Sequence, residues 1–564
     1  MDYSKLVEVY EKLEKTAKRL EKTKIIAELL KETPEELLDE ILYLLQGKVF
    51  AKWDERKTGT SSRLVLKAIN SSTGEIISKI EKEWVKEGDL GIVVEKLIGK
   101  SRQTSLFQTR LTVEKVFNNI RKLSELEGEG TVSKKMQYIT ELLTSAKTNE
   151  AKFIARTIIE DLRVGVKEGV IRDAIAEAFL PKKTEIKDFV KEIENAYNLT
   201  NDYSEVAKAA KNNKIKKLKM QIGKPINPML APRVESPEEA FDAVGMPALV
   251  EDKLDGFRLQ IHKNGDKIKL FTRRLENVTA QFKEIIPTII KNVKLKQCIL
   301  DAELVGYDPE TKKHLPFQNI SQRIKRKYDI EKAAEGLPVE IQVFDILNKE
   351  GEPLLNLIQK ERRKIIEEII KEEKTKIVIT RKLITKSKKD MEDFYKESLN
   401  LGNEGIMIKN LEAKYIPGRR VGGWVKLKPI KETLDLVITE ADWGEGKRSN
   451  WLASFTLACR DKNELLTIGK VGTGISEKDA EVTFDFLTKE LKPFIKEQKG
   501  KHVILKPQLI LEIGYEEIQK SPTYKSGYAL RFPKVINIRK DLGFSDIDDL
   551  QRVKKIFTAQ HKVK

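Results

Sequence analysis

Near residue 220 the spacing of apolar side chains changes, and one regular core cannot serve both patterns. Upstream, TVSKKMQYITELLTSA (131–146) and NEAKFIARTIIEDLRVGV (149–166) carry apolar residues at i, i+3, i+4 and i+7 with charges between them, the period of amphipathic helices. Residues 1–220 therefore read as an all-α domain. After Pro225, RLQIHKNGDKIKLF (258–271) alternates around Asn264-Gly265, a pair suited to a two-residue hairpin turn. CILDAELVGY, VEIQVFDIL, NEGIMIKN and GGWVKLKPI are further β-rich runs, and NLIQKERRKIIEEIIKEE reads as a helix between two of them. A mixed α+β domain is expected over 221–430. From 431 to 564, LDLVITEADW, ASFTLACR, LLTIGKVG, QLILEIGY and YALRFPKVINIRK give five strand-like runs, which suit a small β-barrel of the OB type. Between the first two segments lies EVAKAAKNNKIKKLKMQIGK (205–224), with seven lysines against one glutamate. It reads equally as a solvated linker and as a phosphate-facing hinge.

The length of 564 residues also favours roughly three or four domains over one. No apolar run approaches the ~18 residues of a membrane helix, and the charged, helical-period N-terminus resembles neither a signal nor a transit peptide. Cys298 and Cys459 are the two cysteines, too few for a four-thiolate zinc site and in keeping with a reducing cytoplasm. Four histidines make a histidine-rich metal centre a poor expectation. A formal net charge of +18 favours a polyanionic partner such as nucleic acid, because each neutralised phosphate releases counterions. The abundance of Lys, Glu and Ile hints at a thermophile.

Several phosphate-handling devices are missing. LIGKS (97–101) ends like a P-loop, but that motif needs glycine where Val94 stands. GTGIS lacks the third glycine of the dinucleotide fingerprint, and neither a G-x-S-x-G elbow nor H-E-x-x-H is present. Attention falls on EDKLDGFR (251–258), where Lys253 stands among Glu251, Asp252 and Asp255. An exposed lysine has a pKa near ~10.4 and is inert as a nucleophile. Burial and neighbouring cations would lower it and release the lone pair. Arg258, Arg273, Lys426 and Lys428 in strand-like runs are the candidate cations, and Glu303 and Glu404 are candidate acids for a divalent metal. A lysine nucleophile, spare cations and paired carboxylates suit attack on a nucleoside triphosphate.

The ordered set EDKLDGFR, FTRRLENVT, LDAELVGYD, QVFDIL, EGIMIKN and WVKLKP resembles the six-motif signature of the nucleotidyltransferase (adenylation) domain of ATP-dependent DNA ligases. EAKFIARTIIEDLRVGV resembles the helical DNA-binding domain of the archaeal and eukaryotic branch, and ALRFPKVINIRKD resembles the last motif, in the OB-fold domain. The resemblance implies that Lys253 attacks the α-phosphate of ATP and keeps AMP as a phosphoramidate. AMP then passes to the 5′-phosphate of a nick in duplex DNA, and the 3′-hydroxyl displaces it, as replication, repair and recombination require. Glu251 would accept a hydrogen bond from the adenine amino group, and Phe344 would stack on the purine. Arg258, Arg273 and Arg420 (beside Arg419) would hold sugar or phosphate. Glu303 would bind ribose or metal, and Glu404 the catalytic Mg²⁺ (or Mn²⁺). Lys426 and Lys428, alternating on one strand, would share a face on the α-phosphate side. Arg531 and Lys534 would orient the leaving pyrophosphate. Lys534 stands where many relatives carry arginine, so charge is kept and the bidentate fork is lost. Asp252 would be a bystander, and Leu254 replaces a commoner aromatic residue without chemical consequence.

In the helical domain, Arg163 and Gly165 resemble minor-groove and backbone contacts, which position DNA without reading sequence. In RQTSLFQTR (102–110), Gln103, Leu106 and Phe107 resemble a shortened sliding-clamp motif. A monomer acting on nicked duplex DNA is expected. RNA ligases and mRNA-capping guanylyltransferases share the nucleotidyltransferase core; the long helical segment and Glu251 favour DNA and ATP. The missing four-cysteine module disfavours the NAD-dependent branch. A DNA-binding scaffold with a decayed site loses ground because each expected side chain is present.

Overall fold

The computed structural model describes residues 1–564 except 55, 101–109, 127–129, 183, 312–313, 316, 325–335, 419–422, 430–432, 445–447, 449, 463, 478–481 and 563–564. The chain forms two compact units: Met1–Ser398 with Asn403–Leu427, and Lys428–Lys564 with Leu399–Gly402.

The first unit begins with helices, from Tyr3–Lys15 to Tyr203–Lys211, around one apolar core. The expected periodicity decides which face is inside. Helix Thr131–Ser145 buries Ile139, Leu142 and Leu143, and helix Thr148–Ile158 buries Phe153, Ile154 and Ile158. This second helix stops before the sequence period suggests. Glu160, Arg163 and Gly165 have φ of 55°, 59° and 67°, and left-handed residues cannot continue a right-handed helix.

The lysine-rich run is helical only to Lys211, with one 3₁₀ turn at Ile215–Lys217. The chain beyond is then fastened to the β-rich half. The Gly223 amide donates to His262 Nδ1 (2.9 Å), and the Ile226 amide donates to Gln260 Oε1 (2.8 Å). The side-chain amide of Asn201 holds the Pro225 carbonyl at 2.9 Å.

The β-rich half has two sheets. Strands are numbered β1 (Ala248–Lys253), β2 (Phe257–Asn264), β3 (Lys267–Thr272), β4 (Gln297–Tyr307), β5 (Val339–Lys349), β6 (Ile377–Ile379), β7 (Lys382–Thr385), β8 (Gly405–Asn410) and β9 (Trp424–Leu427). One sheet runs Arg233–Val234, β9, β8, β1, β7; the other runs β3, β2, β4, β5, with β6 parallel to β5. Leu254, Asp255 and Gly256 carry the chain from the first sheet to the second. The β2–β3 hairpin lies one residue beyond its expected place. Asn264 pairs with Lys267, so the turn residues are Gly265 and Asp266. Gly265 alone of the two has positive φ, 59°, and glycine takes that conformation without steric cost.

The second unit has more strands than the five expected. Thr433–Trp443, Leu452–Asp461, Glu464–Val471, Ile495–Lys499, His502–Leu505, Ile510–Gly514 and Lys534–Ile538 form one sheet, and Glu517–Lys520 pairs with Tyr528–Arg531. The run YALRFPKVINIRK is thus two strands, broken at Phe532, whose φ is 49°. This is an OB-like sheet domain, cored by Leu434, Phe455, Leu457, Ile468 and Leu511.

Candidate active site

Strand alternation assembles the first wall of the site. Met407 pairs with Glu251 on one side and Lys426 on the other. Because side chains alternate with period two, Glu251, Lys253, Met407, Lys409 and Lys426 share one sheet face. The second wall comes from β2, β4 and β5, where Arg258 is in register with Glu303. Phe344 is an extra residue on β5: Asp345 pairs with Asp301 and Val343 with Ala302, leaving Phe344 without a partner in the ladder. Such a bulge re-aims a side chain.

Lys253 ends β1, with its side chain 22% exposed, and its Nζ lies 2.9 Å from a Glu404 carboxylate oxygen. The Glu404 amide also donates to the Lys253 carbonyl at 2.8 Å, which fixes the two backbones together. Among the described residues, the leading charges acting on this lysine are carboxylates rather than the cations the sequence suggested. Burial alone would lower the ammonium's pKa, but the carboxylates of Glu404, Glu303 and Asp255 outweigh it and hold the pKa above its ordinary value. The resting structure therefore stabilises the ammonium. Burial pushes the Glu303 carboxyl up to about 7, against the pull of Lys253 and Arg258.

Gly256 permits this crowding. A Cβ there would stand 2.5 Å from the Leu304 carbonyl oxygen and 2.9 Å from Glu303 Cγ.

Arg258 is also differently occupied than expected: its guanidinium is bound by protein groups. Nε and Nη2 donate to the two carboxylate oxygens of Asp301 (3.0 and 2.5 Å), and Nη1 donates to the Met229 carbonyl (2.8 Å). The Tyr415 hydroxyl accepts from Nη2 at 2.9 Å and donates to Asp301 at 2.9 Å. This network holds the guanidinium pKa above its ordinary value: burial opposes the charge, and Asp301 more than compensates. The guanidinium carbon lies 5.3 Å from the Phe344 ring centroid, and that ring meets Trp424 edge-on at 6.4 Å.

Other expected positions divide. Lys426 is in β9, but the strand ends at Leu427, so Lys428 stands beyond it at the start of the second unit. The shared-strand argument for that pair therefore fails. Arg273 is exposed just after β3. Asp252 is an ion-pair residue, bound by Arg381 Nε (3.0 Å) and Nη2 (2.9 Å), and Leu254 is buried. Arg163 bonds to Asp161 (2.6 Å) and the Gly88 carbonyl (2.7 Å), while Gly165 is exposed. Arg531 faces Glu517 at 3.4 Å across the second unit's hairpin, and Lys534 is exposed. Arg420, Gln103, Leu106 and Phe107 lie outside the described residues.

Sequence reasoning missed Asp301, Lys409, Tyr415 and Arg363. Asp301 and Lys409 lie inside quoted motifs, and their strand alternation with Glu303 and Met407 could have drawn them in. Arg363 is on helix Gln359–Ile369, 112 residues from its partner Glu251, with no local signal.

Among the described residues no cluster of three or more potential metal ligands occurs. Glu303 and Glu404 nevertheless supply hard oxygen donors, and Mg²⁺ takes one or two carboxylates together with substrate phosphates. The residues fit such an ion. No helix among the described residues is long and apolar enough to cross a membrane.

Comparison with known proteins agrees along the chain. Residues 2–176 match the model for the DNA ligase N terminus, 228–428 the ATP dependent DNA ligase domain, and 448–542 the ATP dependent DNA ligase C terminal region. The DNA ligase of Nanoarchaeum equitans is 47% identical over 99% of this chain and 99% of its own length. That of Thermococcus onnurineus is 42% identical over 100% of this chain and 99% of its own. A solved structure described as Pmar-Lig_Pre shares the fold, with TM-score 0.55 and 17% identity over 95% of this chain and 99% of that one. A helical segment, a two-sheet site built around a lysine and an OB-like sheet domain, each matched in order, place this chain in the family of ATP-dependent DNA ligases.

Proposed function

We propose that Lys253 is the nucleophile of the ligase reaction and that the face shared by Glu251, Lys253 and Lys426 receives ATP. The observation that carries this reading is the position of Lys253 Nζ, where the two sheets meet, 2.9 Å from Glu404. To react, the ammonium gives up a proton, which requires its ion pair with Glu404 to loosen. The freed lone pair attacks the α-phosphorus of ATP, a P–N bond forms, and the P–O bond to pyrophosphate breaks. The 5′-phosphate of a nick then displaces the lysine nitrogen to take AMP, and the 3′-hydroxyl displaces AMP to close the strand. Glu251 reads the adenine amino group, Phe344 packs on the base, and Arg258, Arg273, Arg420, Lys426 and Lys428 meet sugar and phosphates. Mg²⁺, held by Glu303 and Glu404, would neutralise phosphate charge. A cation held there would also offset the carboxylates beside Lys253.

The remaining assignments rest on sequence. They are domains at 1–220, 221–430 and 431–564; Arg163 and Gly165 toward DNA; Arg531 and Lys534 toward pyrophosphate; and residues 103–107 toward a sliding clamp. A reducing cytoplasm suits the two buried free cysteines, and the monomer assignment likewise rests on sequence.

The test is incubation with α-labelled ATP and Mg²⁺. The wild-type protein should acquire a protein–AMP adduct stable to base and labile to acid, and Lys253→Ala should not. Label retained by Lys253→Ala would refute the assignment. Binding of nicked duplex, in turn, should weaken steeply as salt rises.

A further inference from the structure

Two buried cations from separate elements grip the carboxylate of Glu251. Arg363 Nη1 lies 2.5 Å from Oε1, and Lys409 Nζ lies 2.5 Å from Oε2. Glu251, Lys409 and Arg363 are 1%, 1% and 6% exposed, so water does little to loosen the arrangement. Arg363 is itself fixed: Nη2 donates to the Thr380 carbonyl and Nε to Glu367, each at 2.8 Å. A planar guanidinium bound at three acceptors has its orientation set. The Lys409 ammonium lies 4.3 Å from the Trp424 ring centroid and 5.0 Å from that of Phe344, a further favourable placement for a desolvated cation.

This geometry bears on base choice. A carboxylate offers only acceptor lone pairs. Adenine presents an amino donor at C6, and guanine presents a carbonyl acceptor. A carboxylate locked in place rewards the first and opposes the second, whereas one free to rotate away discriminates less. Glu251 and Lys253 are two residues apart on one strand face, so fixing Glu251 also fixes the base relative to the amine.

We infer that Arg363, assisted by Lys409, is a positioning and specificity-determining residue that aims the Glu251 carboxylate and thereby sets the preference for ATP over GTP. The inference rests on the roles proposed above for Glu251 and Lys253.

The experiment measures self-labelling of the full chain by α-labelled ATP and GTP, with KM and maximal rate for each. Arg363→Met should reduce the ATP-over-GTP preference by about tenfold, the scale of loss seen when partners that orient metal ligands are removed. The change should fall mainly on KM for ATP, and Arg363→Lys should recover part of it. Unchanged preference in both Arg363 variants overturns the inference. If Arg363→Met does not fold, Arg363→Lys and Lys409→Arg carry the test, and wild-type preference in both overturns it. Glu251→Ala separates the two levels. Preference kept in Glu251→Ala means that the reading of Glu251 has failed, and the inference with it. Preference lost there but kept in the Arg363 variants defeats this inference alone.

Discussion

Replacing Asp301 by asparagine tests whether the Arg258 network supports both the fold and the site. The change preserves shape but puts a donor amide where a carboxylate met Arg258 Nη2 at 2.5 Å and the Tyr415 hydroxyl at 2.9 Å. Arg258 then keeps the Met229 carbonyl, the Tyr415 oxygen and one neutral side-chain oxygen facing Nε, and loses the anionic partner of Nη2. The Asp301 side chain is 1% exposed and that of Arg258 15%, so the orphaned charge is poorly solvated. Breaking one side of a buried pair costs roughly 3–5 kcal/mol. For a domain of ~200 residues each kcal/mol moves Tm by about 2–4 °C, so melting should fall by roughly 6–20 °C. Tyr415→Phe removes one hydroxyl bonded to charged groups and should cost less, roughly 1.5–3 kcal/mol. A double replacement, Arg258→Met with Asp301→Leu, should recover much of the stability yet take up AMP poorly. The assay is thermal melting beside self-labelling at varied ATP. An Asp301→Asn protein that melts within a few degrees of wild type and labels with unchanged KM would refute the argument.

Three further outcomes are expected. Glu404→Gln removes a carboxylate 2.9 Å from Lys253, so the lysine should titrate at lower pH; pH-dependent acylation of Lys253, read by peptide mass mapping, would contradict this by an unchanged or upward shift. Burial, with Lys269 adding to it, pushes His262 from 6.5 down to about 3. Across that window the unfolded chain binds a proton that the folded chain does not. Stability should therefore fall with falling pH, this group contributing about 1.4 kcal/mol per pH unit, and His262→Asn should lose that share of the slope in urea unfolding. Gly256→Ala places a Cβ 2.5 Å from the Leu304 carbonyl oxygen; it should cost roughly 1–3 kcal/mol and, by displacing Glu303, reduce self-labelling beyond what the change in melting explains.

Much was legible from local rules. The change of period near residue 220 separates helices from strands because side-chain direction follows backbone repeat. EDKLDGFR, with the ordered motifs after it, singled out Lys253, Glu303 and Glu404, which the fold brings together. Where local rules failed, they failed by small steps. The hairpin turns at Gly265-Asp266, β9 ends one residue before Lys428, and a left-handed stretch stops the helix at Ile158.

Tertiary structure alone decided which charge meets which. The sequence offered cations to depress Lys253; folding put carboxylates beside it, and the direction of its pKa shift reversed. Glu251 was nameable from its motif, but Arg363, 112 residues away on a helix, was not. The physical reason is one of range. Backbone sterics and apolar periodicity act over a few residues, so sequence carries them openly. Electrostatic energy depends on distance and burial in space, and those exist only once the chain has closed on itself.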